Sequence, residues 1–370
     1  MTSTSNERPM IMHVINDLSR GGAELLLINT VKLFPEFRHV IVYLFPNSEL
    51  AEDFEEEGVE LFCLHHKKWT NIFSSTLKLK AIIKKKKPVL VHSHLFQSTI
   101  CSRLATPATV PLIFTIHSLY SQDAFGKNIK SLLAARLTLR KRHTLLAVSN
   151  CALNDYLTYM SFKGKRFILH NFLPDHLFQQ RIEPRFEGTI KLVAVGNLKD
   201  AKNYHYLLQI FEHLRGASVS LDIYGTGPLQ QGLAETIEKK KLNVRLCGTV
   251  ENVSGIFQQY HFFIQASSHE GFGLSVIEAM ATGIPVILSD IPVFREITDN
   301  LATFFPLENA SFAARIITQL ISRKEPGSFA DKAMDHVKNK YSAKRYRQKL
   351  LSIYEEVAQR KLVYEYESVS

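Results

Sequence analysis

A chain of 370 residues, 45% hydrophobic and 22% charged, is long for one core and comfortable for two globular domains, with no low-complexity tract. No apolar run approaches the ~18 residues of a membrane span, and the polar start from Met1 to Pro9 is unlike a signal peptide, so a cytoplasmic protein is expected. The formal charge of +10 and pI near 9.3 ask for an anionic partner, while Cys63, Cys101, Cys151 and Cys247, scattered in apolar surroundings without a C-x-x-C pair, read as reduced core thiols.

In chain order, residues 11–15 predict a first strand, Gly21-Gly22 a turn and residues 23–33 a helix. Further strands are predicted at 40–44, 59–64, 89–92, 112–116 and 145–148, with helical patterns between them. Residues 171–188, with Pro174, Pro184 and mixed charge, read as a linker, giving domains at 1–180 and 181–342. The second half restarts at 190–196 and continues with strands at 220–224, 244–247, 262–265 and 286–288, before a last helix at 343–358. Alternating β and α signals in both halves predict parallel sheets covered by helices, an α/β class whose ligands lie beyond the carboxyl ends of the strands.

Several strand ends carry polar residues. Gly21-Gly22 follows the first strand, although a structural turn explains that pair as well, and the absence of G-x-G-x-x-G argues against a dinucleotide cofactor. His117 ends the strand beginning at Pro111, where a lone histidine is most often a polar terminus. His92 and His94 share a face by period-two spacing, as a metal pair needs, but no third ligand stands nearby in sequence and no metal site is expected.

The densest signal is Ser267 to Leu288. Glu270 and Glu278 flank a glycine turn, Gly271-Phe272-Gly273, that opens a helix at Leu274 and Ser275. Glycine lets backbone amides approach a ligand, and a helix N-terminus suits a diphosphate. The carboxylates are acceptors for vicinal hydroxyl pairs such as those of a ribose or a hexose. Taken singly, each glutamate is better explained as a solvated loop or helix residue; the apolar neighbours Val276, Ile277, Ala279, Met280 and Ala281 are what single out Glu278.

This segment resembles the signature of the family 4 retaining glycosyltransferases, whose E-x7-E spacing is met by Glu270 and Glu278 inside HEGFGLSVIEAMATGIPVI. The resemblance implies a GT-B fold, two Rossmann-like doubly wound domains facing across a cleft, with a closing helix in residues 343–370 returning to the first domain. It also implies that Glu278 binds the nucleotide ribose, that Glu270 binds the donor sugar, and that amides near Gly273 to Ser275 meet the phosphates. By the same resemblance Gly21 and Gly22 approach the donor phosphate and acceptor, His117 matches a T-x-H histidine beside the reacting carbon, and His92 and His94 match an H-x-H that lines the cleft. Val195 to Asn203 resembles a second phosphate loop in which Lys202 matches the usual lysine, while Asn197 stands where arginine is usual. Residues 247–250, with Thr249 and Val250, resemble a loop that meets the base through backbone atoms, so uridine, guanosine and adenosine diphosphates all stay open.

The implied reaction moves a hexose from a nucleoside diphosphate sugar to a glycan or lipid-linked acceptor in cell-surface polysaccharide or glycolipid synthesis. It proceeds with retention and without a cofactor or obligatory metal, the departing phosphate oxygen serving as base. A sugar-nucleotide epimerase of the same fold, or a donor-binding protein without transfer, is the alternative. Residues 78–87 and 127–142 concentrate positive charge, the latter interleaved with Leu132, Leu133, Leu137 and Leu139. Such a helix suits an anionic membrane surface, and equally a packed helix with a basic solvated face; no motif accompanies the charge to suggest nucleic acid.

Overall fold

The computed structural model describes residues 8–66, 72–122, 128–178, 188–250, 253–322 and 330–362. The expected boundary at 180/181 and Pro184 fall outside them. The chain divides into two compact units: one takes the described residues up to Phe172 together with those from Ala343 on, and the other is Leu173–Ser342.

The first unit contains β1 (Met10–Ile15), α1 (Gly22–Lys32), β2 (Arg38–Tyr43), α2 (Ala51–Glu56), β3 (Glu60–Cys63), α3 (Ile72–Lys86), β4 (Leu90–His94), α4 (Phe96–Ala105), β5 (Leu112–Ile116), α5 (Ile129–Thr138), β6 (Thr144–Ala147), α6 (Asn150–Tyr159) and β7 (Lys165–Ile168). The second contains β8 (Ile190–Val195), α7 (Tyr204–His213), β9 (Val219–Tyr224), α8 (Gln230–Lys240), β10 (Val244–Gly248), α9 (Val253–Phe257), β11 (Phe262–Gln265), α10 (Leu274–Ala281), β12 (Val286–Ser289), α11 (Pro292–Thr298), β13 (Thr303–Phe305), α12 (Ala310–Ser322) and α13 (Ala330–Lys340). The last helix, α14 (Ala343–Ala358), belongs to the first unit.

Each unit is built on one parallel sheet, ordered β3-β2-β1-β4-β5-β6-β7 in the first and β10-β9-β8-β11-β12-β13 in the second. The central strands are buried on both faces, as β1 is throughout, which is why they read as unbroken apolar runs. One face of the first sheet packs Ile11, Leu90 and Ile113 against Phe34 and against Tyr346, Leu350 and Tyr354 of α14. The other buries Met12, Val40 and Val91 beneath Leu79 and Ile83 of α3 and Cys101 of α4. In the second unit Leu192, Leu221 and Ile264 form a core with Leu207, Phe211 and Ile317.

Both sheets reverse strand order beside their first strand, between β1 and β4 and between β8 and β11. Loops leaving two adjacent strands there diverge to opposite faces and leave a crevice at the carboxyl ends, the place where such sheets hold ligands.

Candidate active site

In the second unit the crevice is formed by the loops after β8 and β11. The first bends at Gly196 and closes in a single 3-10 turn, Asp200–Lys202. Tyr204, at the start of α7, ties this bend by donating its hydroxyl proton to the Gly196 carbonyl at 2.8 Å. The second loop is attached to it where the Ser268 amide donates to the Ala201 carbonyl at 2.9 Å. Lys202 is thereby carried to Glu270, with Nζ 2.7 Å from Oε1 and only 18% and 15% of the two side chains exposed.

Two further donors share that oxygen. Gln265 Nε2 and Ser267 Oγ each reach Glu270 Oε1 at 2.8 Å, and Gln265 is oriented in turn by the Ser275 hydroxyl, 2.9 Å from its Oε1. Three donors therefore converge on one carboxylate oxygen, while Oε2 has no partner among the described residues. This fixes the carboxylate through one oxygen and leaves the other open.

Gly273 precedes α10 in the left-handed conformation, φ +104°, and a Cβ there would lie 3.1 Å from the Phe294 ring. That turn releases the chain into α10, whose opening amides at Leu274 and Ser275 lack intrahelical acceptors by the geometry of any helix. Phe272 is buried edge-on against Tyr341, ring centroids 5.5 Å apart, which anchors the loop from below. One turn into α10, Glu278 is half-buried and has no hydrogen-bond partner among the described residues. Burial lifts its carboxyl from the ordinary 4.5 to about 7, with the Lys202 charge pulling the other way. An open carboxylate oxygen, an unpartnered carboxyl, an ammonium group and a helix N-terminus meet here. Together they can bind a molecule that carries both hydroxyl pairs and phosphate.

Glu270, Gly271, Phe272, Gly273, Leu274, Ser275, Glu278 and Lys202 thus lie in the two connected loops and the helix they open. Asn197 is exposed and its side chain makes no hydrogen bond among the described residues. Thr249 and Val250 follow β10, in a loop joined to the one after β9 by the Gly225 amide, which donates to the Gly248 carbonyl at 2.7 Å. Gly21, Gly22 and His117 belong to the other unit: Gly21 caps α1 in an extended conformation and Gly22 begins that helix.

The sequence expectation that His92 and His94 lack a third neighbouring ligand needs correction. Parallel pairing of β1 with β4 sets His13 opposite His92, and ring nitrogens of His13, His92 and His94 lie within 4.8 Å of one another. Their nitrogens are already engaged. His92 meets the Tyr354 hydroxyl and Thr115 Oγ1, both at 2.7 Å. His13 Nδ1 meets His94 Nε2 at 3.3 Å, and His94 Nδ1 meets His117 Nε2 at 3.2 Å. The cluster is therefore a hydrogen-bonded one. Its members face the α14 side, and burial holds His92 down at about 3 and His117 at about 4, so the rings are neutral at physiological pH. His117 also borders a cavity in this unit lined by Asn16, Phe96, Thr99, Arg103 and Tyr120.

Sequence reading passed over Gln265, Ser267 and Tyr204 beside the two glutamates, and His13 and His39 in the first unit. A glutamine ending the otherwise apolar strand Phe262–Gln265 was the available signal for the first. Nothing in sequence spacing links histidines on three separate strands.

Residues 176–341 match the family described as Glycosyl transferases group 1, and residues 20–175 that described as Glycosyltransferase Family 4. The capsular polysaccharide biosynthesis glycosyltransferase CapH of Staphylococcus aureus is 28% identical over 87% of this chain and 93% of its own. The putative glycosyltransferase EpsF of Bacillus subtilis is 26% identical over 77% and 80%. Among solved structures, Anabaena HepE in complex with UDP and glucose superimposes with a TM-score of 0.80 at 16% identity, covering 94% of this chain and 100% of that one. Two Rossmann-like parallel sheets and these matches define a glycosyltransferase of GT-B architecture. The chain belongs to glycosyltransferase family 4.

Proposed function

We propose that the chain transfers a hexose from a nucleoside diphosphate sugar to a glycan or lipid-linked acceptor in polysaccharide synthesis, with retention of anomeric configuration and no obligatory metal. The observation that carries this reading is the pair of carboxylates around α10, Glu270 anchored through one oxygen and Glu278 without a hydrogen-bond partner among the described residues. Glu278 accepts from the ribose hydroxyls and Glu270 Oε2 from the sugar. The α10 N-terminus and Lys202 stabilise charge growing on the departing diphosphate, whose oxygen takes the proton of the attacking acceptor hydroxyl. Thr249 and Val250 contact the base through their backbone, Asn197 donates an amide hydrogen bond to phosphate, and Gly21, Gly22 and His117 serve the reacting end. The CapH name supports a polysaccharide product, and HepE, solved with UDP and glucose and with UDP-glucose, supports a sugar nucleotide.

We also place this enzyme at an anionic membrane surface. No helix among the described residues is long and apolar enough to cross a membrane. On α5, Ile129, Leu133 and Leu137 stand on one stripe at 65%, 50% and 70% exposure, beside Lys130, Arg136 and Arg140. Leu104 of α4 and Phe73 and Leu77 of the next helix, α3, are exposed as well, and α3, α4 and α5 pack side by side. Contact there brings the enzyme to a lipid-linked acceptor.

A thermal-shift panel of nucleoside diphosphate sugars tests the donor assignment. The true donor at about 100 times its dissociation constant stabilises the fold by about 2.7 kcal/mol. Calorimetry on Glu278→Ala then decides the ribose contact, since unchanged donor affinity would remove it.

A further inference from the structure

Four imidazoles form one hydrogen-bonded line across the first sheet. From the bottom, His39 Nε2 lies 3.0 Å from the Phe34 carbonyl oxygen, and His39 Nδ1 lies 3.3 Å from His13 Nε2. His13 Nδ1 lies 3.3 Å from His94 Nε2, and His94 Nδ1 lies 3.2 Å from His117 Nε2. The line starts near the amino end of β2, passes the middle of β1 and the end of β4, and finishes just after β5. Register explains it: Ile11 pairs with His39, His13 with His92 and His94 with Thr115, so period-two alternation puts all four rings on one face.

A neutral imidazole has one N–H and one bare nitrogen, and every member of this line is neutral because burial lowers its proton affinity. A carbonyl oxygen only accepts. His39 must therefore donate from Nε2 to Phe34, which leaves its Nδ1 to accept from His13 Nε2. The same reasoning repeats at His13 and at His94, and ends with His117 donating from Nε2. His117 Nδ1 is left bare, and it has no partner among the described residues.

We propose that His39, His13 and His94 are positioning residues that hold His117 as its Nε2–H tautomer, making its Nδ1 an obligate hydrogen-bond acceptor for a hydroxyl of the bound sugar or acceptor. The identity of that hydroxyl rests on the function proposed above; the tautomer does not. Each donation in the line adds electron density to the next bare nitrogen, so a carbonyl near the amino end of β2 strengthens the acceptor just beyond β5. It follows that His117 recognises a hydroxyl by accepting, and does not polarise a substrate oxygen by donating.

The test is imidazole nitrogen NMR on the full chain labelled with 15N at histidine, near neutral pH and without ligand. All four rings are expected as Nε2–H tautomers. In His39→Gln the amide oxygen replaces the acceptor for His13 and the amide N–H still reaches Phe34, so His117 keeps its Nε2–H pattern. In His39→Leu the acceptor is lost, and His117 becomes a mixture of tautomers with kcat/KM lowered ~5- to 10-fold, the scale of one neutral hydrogen bond. Any of the four rings found as the Nδ1–H tautomer in the native protein overturns the proposal, and so does a folded Leu variant with an unchanged His117 spectrum. Should the Leu variant not fold, the native and Gln spectra decide between the same outcomes. Because the readout needs no turnover, a correct tautomer in a protein that transfers no sugar would retire the proposed function and leave the line intact.

Discussion

Glu278→Gln separates the fold's interest from the site's. The carboxyl is lifted from 4.5 to about 7 by burial, so the folded protein holds its proton more tightly than the unfolded chain does. Between those two values the native state binds more protons, and native stability falls as pH rises, which is the sign opposite to that of a salt-bridged carboxylate. Taking about 1.4 kcal/mol per tenfold change in proton affinity, ionised Glu278 costs the fold about 3 kcal/mol at pH 8.5 and under about 1 kcal/mol at pH 5. These are upper values, because part of the side chain stays open to solvent. Glutamine keeps the shape without the charge, so the variant should be more stable than the parent at pH 8.5 and nearly equal to it at pH 5, read by urea denaturation in the absence of donor. Its donor affinity should fall about tenfold or more, since one acceptor for a hydroxyl becomes an NH2. A stability difference identical at the two pH values would refute the reasoning, because the carboxylate would then carry no burial penalty in the fold.

Other outcomes follow from the same geometry. Lys202→Met leaves Glu270 charged and largely buried with only Gln265 and Ser267 as donors, and should destabilise the second unit by about 3 kcal/mol in urea while lowering turnover. At Gly225, φ is +141° and a Cβ would stand 2.1 Å from the Gly196 carbonyl oxygen, so Gly225→Ala should cost about 2 kcal/mol or more and disturb the Lys202 loop. The double variant Leu133→Asp/Leu137→Asp should keep the parental melting temperature and lose co-sedimentation with anionic phospholipid vesicles; retained sedimentation removes α5 from the membrane surface. His117→Ala should lower transfer to the acceptor, and full activity would place that ring outside the reaction centre.

Much of the architecture was legible because buried parallel strands announce themselves as short apolar runs between glycine and proline. β5 and β11 begin and end where their sequences indicate. Two strands escaped for opposite reasons. Lys165–Ile168 is an edge strand whose first two residues are exposed, so it has a charged rather than an apolar start. Thr303–Phe305 is too short to show a period. The glycine turn and its two glutamates were readable because the elements that carry them are contiguous in sequence. The grip on Glu270 was not, since Lys202 arrives from a loop some seventy positions away that only the pairing of β8 with β11 brings near. The histidine line was less visible still: its direction depends on a backbone carbonyl, which no sequence displays.

The packing of α14 has a consequence in time. Its Tyr354 hydroxyl bonds His92, its Tyr346 hydroxyl bonds Thr30, and its Arg347 donates to the Leu33 carbonyl. These residues seal the face of the first sheet on which the histidines lie, yet they are translated after the whole of the second unit. During synthesis, the part of the first unit that leaves the ribosome first must wait with an open apolar face until the whole of the second unit has been synthesised and α14 follows it. The unit that begins first is thus the one whose chain is finished last.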